Sequence, residues 1–247
     1  MAGAYGCTER TLAYWNLVHG APLLLTAKQL RISEDTIGSF YQRGRCICVA
    51  DVVRREKALV FGGRHPWTTD IELDEHAWRS WVDGDRHYYF VWIGIQQRGS
   101  PEHLFLRPLE SSDPGMPPGV VYSEGQGRVP PLTSACLDKC LGEAFTEDTL
   151  AILMSDSALA YQHLKVGVHG IRGKYLVDHS NDEYKRDVMD IVSNVETLEQ
   201  RCGTAGTQLL DGTWKRLEDS NQSHAAVVER FDGGSFGSCS GGSDSST

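Results

Sequence analysis

Apolar positions fall at helical spacing in the first stretch of the chain and alternate in strand fashion from Asp70 on. Ile37, Phe40 and Tyr41 stand at i, i+3 and i+4, one stripe of a helix. Ahead of them, Thr26-Ala27-Lys28-Gln29 reads as a capping box that opens a short helix ending near Arg31. Ser33-Glu34-Asp35-Thr36 opens the next helix, with a serine N-cap and two carboxylates in the first turn, where the helix dipole favours them. A short helix, a tight turn with Ile32 pointing inward and a second helix make a helix-turn-helix, whose second helix can lie in a DNA major groove.

In Asp70–Glu75, alternation predicts a strand that sends Ile71 and Leu73 into a core and leaves Glu72 and Asp74 together on the other face. His87–Ile95 and His103–Leu109 are two further strands, separated by the Arg98-Gly99-Ser100-Pro101 turn. Leu132–Phe145 reads as a helix, with Ala135, Cys136, Leu141 and Ala144 as its apolar positions, and Leu150–Met154 as a fourth strand ending in Ser155-Asp156. Three strands, a helix and a strand predict an α/β sandwich with carboxylates at two strand positions. The five prolines and four glycines of residues 111–131 predict a long surface loop inserted in that domain. The resulting division is a helix-turn-helix region over 1–60, an α/β core over 61–230 and a disordered Gly/Ser tail over 231–247.

At 247 residues and 40% hydrophobic, the chain is long enough for one sizeable core. It has no run of about 18 apolar residues, which excludes a membrane-spanning helix, and no basic-then-apolar start, so no secretory signal is expected. Seven scattered cysteines, an odd number, predict free thiols in a reducing compartment. Cys46-x-Cys48 and Cys136-x-x-x-Cys140 lack zinc-knuckle spacing and read as small buried side chains.

A formal charge of −9 argues at first against a nucleic-acid partner. Its distribution changes that conclusion. Residues 1–70 hold nine Lys/Arg against six Asp/Glu, and residues 71–247 hold fifteen against twenty-seven, a net of +3 followed by a net of −12. Arg43, Arg45, Arg54, Arg55 and Lys57 cluster behind the helix-turn-helix, where they can contact phosphates.

The acidic part contains four blocks, in order, that resemble those of DDE transposases of the insertion-sequence and Merlin type. "VFGGRHPWTTDIELDEHAWRSW" (Val60–Trp81) resembles the family's first-carboxylate block, and "ILMSDSALAY" (Ile152–Tyr161) its second-Asp block. "LVDHS" (Leu176–Ser180) is similar to the V-N-H-S segment, and "TQLLDGTWKRLED" (Thr207–Asp219) to the block that carries the third carboxylate. The resemblance implies a ribonuclease-H-like fold, a mixed five-stranded sheet with flanking helices. It matches Asp74, Asp156 and Asp211 to the three catalytic carboxylates, with His179 and Glu75 as accessory groups. Glu72 and Glu199 are alternative ligands if the register differs.

Such a triad answers a chemical need. Cleaving or joining a DNA phosphodiester requires an activated water or 3′-hydroxyl and a stabilised leaving oxygen, and two metal ions roughly 3.5–4 Å apart provide both. Mg²⁺ or Mn²⁺ takes oxygen ligands, so carboxylates from distant elements must converge. The implied protein is a DNA transposase that binds double-stranded element ends and target and assembles as a homo-oligomer on DNA. It would work in a nucleus if eukaryotic, or in a cytoplasm or nucleoid if bacterial. Position 211 is Asp where relatives often carry Glu, and Glu218 stands where the pattern has Lys. That second departure favours the competing expectation, a catalytically inactive, transposase-derived DNA-binding or regulatory protein. A structure-selective nuclease on the same fold is a third.

Overall fold

The computed structural model describes residues 9–18, 20–111, 115–124 and 128–228, without the side chains at 10, 79, 124 and 219–228. The expected tail over 231–247 lies outside them. The chain divides into two compact units, one of residues 1–48 with 219–247 and the other of residues 49–218.

The first unit contains α1 (Glu9–Val18), α2 (Leu23–Leu30) and most of α3 (Glu34–Glu56). Ala27, Ile37 and Tyr41 form its core. Ser33 caps α3 as its sequence predicts, its hydroxyl accepting from the Thr36 amide at 3.3 Å. One local expectation is corrected. Thr26 is not an N-cap: α2 starts at Leu23, behind Pro22. The Thr26 side chain is instead fully buried, bonded to the Tyr41 hydroxyl at 2.7 Å and accepting from Asn16 Nδ2 at 3.1 Å, while Gln29 accepts from the same Asn16 amide at 2.9 Å. The second helix runs for 23 residues to Glu56. Thr26→Val should cost about 1–3 kcal/mol, because it strips two buried polar groups of a partner. Urea unfolding of the full chain checks this, with Thr26→Ser expected to stay near wild type; equal midpoints for all three proteins would contradict it.

The second unit is mixed α/β. Its strands are β1 (Thr69–Asp83), β2 (Arg86–Gln97), β3 (Leu104–Pro108), β4 (Val120–Glu124), β5 (Ala151–Asp156) and β6 (Ile171–Val177). Helix α4 (Ser134–Ala144), with Thr133 as N-cap, precedes β5, and α5 (Leu159–His163) follows it. After β6 come a hairpin of β7 (Arg186–Val192) and β8 (Gln200–Ala205), then α6 (Gln208–Val228). The sheet order is β3-β2-β1-β5-β6, with β4 also pairing β2. β2 runs antiparallel to both of its neighbours β1 and β3, whereas β1, β5 and β6 run parallel. β4 corrects the expectation of a structureless 111–131 loop: Val120, Val121 and Tyr122 pair with Phe90, Tyr89 and Tyr88.

Side-chain alternation along β1 sorts the two faces. Ile71 and Leu73 enter the main core with Ile93, Ile95, Leu137, Leu141 and Leu153. On the other face Ile152 and Met154 meet Val177, Val188, Ile191 and Ala205 beneath the β7–β8 hairpin. β5 is covered on both faces, which is why its sequence is an unbroken apolar run rather than an alternating one.

Of the five described cysteines only Cys140 is buried; Cys46, Cys48 and Cys202 are exposed and Cys136 is intermediate, so the expectation of small buried side chains holds for one position. Among the described residues no helix is long and apolar enough to cross a membrane.

Candidate active site

Parallel pairing places Glu72 of β1 level with Met154 of β5. The paired ladder ends there, and two residues further along each strand stand Asp74 and Asp156, on the sheet face that carries Glu72 and Met154. Ser155 fixes the level, its buried hydroxyl donating to the Leu73 carbonyl at 2.8 Å.

The third carboxylate comes in on α6. Trp214, one turn beyond Asp211, is 3% exposed and donates its indole N–H to Asp74 Oδ2 at 2.9 Å. Its ring stacks on His76, with centroids 5.3 Å apart, and meets Trp78 edge-on. Gly94 of β2, the residue opposite Asp74, makes this approach possible. A Cβ there would lie 2.6 Å from the Trp214 ring and 2.9 Å from Leu210, so the bare glycine is the seat of α6.

Charge sets this level of the sheet apart. Lower on β1, each acid has its cation: Asp70 pairs with Arg201, and Glu72 with Arg98. From Asp74 on, the partners are neutral. Glu75 takes a bond from the Tyr161 hydroxyl, Asp156 from the Ala158 amide at 3.0 Å, and Asp211 from the Thr207 hydroxyl at 3.4 Å. Among the described residues no ion pair joins a lysine or arginine to any of these four acids.

Burial, with the negative charge of Glu75, pushes the Asp74 carboxyl up to about 8; the Trp214 bond opposes this, and Asp211 and Asp156 add to it. Burial raises Glu75 as well, against its bond from Tyr161 and with the charge of Asp156. Asp211 is raised by burial, against the Thr207 bond and the pull of His179 and His76. These effects link Asp74, Glu75, Asp156 and Asp211 in one electrostatic cluster.

The donor set suits a hard divalent cation, being all oxygen and uncompensated by arginine or lysine. As the side chains stand, each is turned to a protein donor, and among the described residues no three His, Cys, Asp or Glu groups converge closely enough to hold an ion.

The remaining candidates fall in different places. His179 begins a short 3-10 turn (His179–Asn181) after β6, with its ring 5.0 Å from that of Tyr184. Glu199 is exposed on the β7–β8 connection. Glu72 is not beside the acids but under the start of α6, accepting from the Leu209 and Leu210 amides at 2.8 and 3.0 Å. Glu218, at the position where a cation was expected, bonds His76 Nε2 at 2.9 Å. Arg43 and Arg45 are exposed on α3, and Arg54 and Arg55 both reach the Asp51 carboxylate. Sequence reading missed Gly94, Trp214's bond to Asp74 and the Arg98 partnership, because each depends on a residue more than twenty-five positions away. No protein-family model matches the chain, and no curated protein or solved structure does either, so a role for these carboxylates rests on their placement and chemistry.

Proposed function

We propose that the chain is a DDE-type DNA transposase, a metal-dependent enzyme that cleaves and joins DNA strands on a ribonuclease-H-like core. The observation that carries this reading is the grouping of Asp74 on β1, Asp156 at the end of the neighbouring parallel strand β5 and Asp211 on α6 in one electrostatic cluster, with no arginine or lysine ion pair to any of them among the described residues. The strand order β3-β2-β1-β5-β6, antiparallel on one side of β1 and parallel on the other, supports the same reading.

In this mechanism Asp74, Asp156 and Asp211 would hold two Mg²⁺ or Mn²⁺ ions, which would supply activation of the attacking oxygen and charge relief at the leaving one. Trp214 orients Asp74 through its N–H, and Gly94 lets α6 bring Asp211 close. Arg43 and Arg45 of the helical unit contact phosphates of double-stranded DNA, and copies assemble on element ends, in a nucleus or a bacterial nucleoid.

The second reading, a DNA-binding derivative without cleavage, is favoured by one observation: Glu218 replaces a cation beside the site and is engaged by His76. Purified full-length protein incubated with supercoiled DNA separates the two. The transposase reading expects nicked product in Mg²⁺ or Mn²⁺ and none with chelator. A gel shift with no cleavage in either metal would leave the DNA-binding reading in its place.

A further inference from the structure

Glu72 and Arg98 form a charged pair with unusual wiring. The Glu72 side chain is fully buried, and one of its oxygens accepts from Arg98 Nε at 2.8 Å. The other accepts both backbone N–H groups, of Leu209 and Leu210, in the first turn of α6. Arg98 also donates to the carbonyls of Thr204 and Gly206, the latter at 2.9 Å, and to Gln208 Oε1 at 3.3 Å. One ion pair therefore ties β1, the end of β2, the end of β8 and the start of α6 at a single point. Asp211 follows Leu210 directly, and Asp74 lies two residues along β1 from Glu72.

Stability alone does not call for this arrangement, since a well-packed apolar pair of similar volume would serve as well. What the pair adds is direction: a charged acceptor fixes the axial position and rotation of the first turn of α6, and with it the carboxylate that turn carries. We propose that Glu72 and Arg98 are positioning residues that set Asp211 over Asp74 and Asp156, so that they govern divalent-cation affinity without touching the cation. This rests on the metal-dependent reading above. Outer-shell partners of this kind are typically worth about 10- to 100-fold in metal affinity.

Calorimetric titration with Mn²⁺ of the full-length protein tests it, using wild type, Glu72→Gln, Asp211→Asn and the double variant, each shown to be folded by circular dichroism. Glu72→Gln is expected to weaken Mn²⁺ binding by about 10-fold or more. The double variant should bind no more weakly than Asp211→Asn alone, because the effect is transmitted through Asp211. Wild-type affinity in Glu72→Gln, or losses that add in the double variant, would overturn the proposal and leave the pair a structural brace. Should Glu72→Gln fail to fold, Arg98→Lys carries the same comparison, keeping the charge while losing the bonds to Gly206 and Gln208. A wild-type protein that binds no Mn²⁺ would overturn the metal-dependent reading itself, and this proposal with it.

Discussion

Asp74→Asn is expected to abolish metal-dependent DNA cleavage and at the same time to stabilise the metal-free protein at alkaline pH. The first effect follows from loss of a ligand. The second follows from the titration of the acid. Its carboxyl is raised from 3.8 to about 8, so between those values the folded chain retains a proton that the unfolded chain has released. Stability from this group is complete below about pH 4 and is lost as pH rises through about 8, at up to about 1.4 kcal/mol per pH unit. Asparagine does not titrate and removes that slope. Melting temperatures of the two proteins in chelator should therefore diverge from about pH 5 to about pH 8, with the variant the higher. Added Mg²⁺ should raise the wild-type melting temperature, more so at the higher pH because binding displaces the proton, and leave the variant unmoved. Parallel melting curves across that range would contradict the electrostatic picture of the site.

Gly94→Ala is expected to have the next largest effect, although alanine is the smallest substitution available. Its Cβ would stand 2.6 Å from the ring of Trp214, which is buried, bonded to Asp74 and stacked on His76. A rigid ring so held cannot turn aside, and α6 must lift from the sheet. Overpacking of this kind costs about 1–3 kcal/mol. Displacing Asp211 by about 1 Å is expected to cost roughly 100-fold in cleavage. Gly212→Ala is the matched control on α6. Nothing lies within 4 Å of its added Cβ. Better helix propensity should stabilise that variant by about 0.5–1 kcal/mol with cleavage retained. Chemical denaturation and a nicking assay on both variants check this pair of outcomes; a Gly94→Ala protein as stable and active as Gly212→Ala would contradict it.

The alternation of Asp70–Glu75 and the unbroken run at Leu150–Met154 make both central strands legible in the sequence, because burial on one face or on two writes directly into residue spacing. Alternation put Asp74 with Glu72 on one strand face and ended a strand at Asp156, while only the family resemblance singled these two out as ligands. The capping of α3 by Ser33 was legible because it is local. Thr26 was not: the Thr-x-x-Gln pattern is the same whether the hydroxyl caps a helix or bonds buried side chains of two other helices. The full length of α3 was hidden because its apolar stripe stops at Tyr41 and Ile47, Val49 and Val52 are exposed. Strand β4 was masked by the prolines and glycines around Val120-Val121-Tyr122. At the site, Gly94 reads as an ordinary strand glycine until Trp214 is brought against it from 120 residues away, and Glu72 reads as a spare ligand until α6 is seated on it. Position along the chain reveals which residues share a strand face; it does not reveal which helix returns to cover them.

The excess acidity of residues 71–247 divides accordingly. Part of it is neutralised by arginines, as at Glu72 by Arg98, Glu143 by Arg107 and Glu183 by Arg186. Part is gathered at Asp74, Glu75, Asp156 and Asp211, which form no ion pair with lysine or arginine among the described residues. Anomalous diffraction from crystals of the full-length protein soaked in Mn²⁺ tests the meaning of that second part most directly. The predicted result is density bounded by Asp74, Asp156 and Asp211, with carboxylate oxygens at about 2.1 Å, near the Mg²⁺–oxygen distance, and density lost in Asp156→Ala. Strong Mn²⁺ density elsewhere on the chain, with none between these three carboxylates, would contradict it.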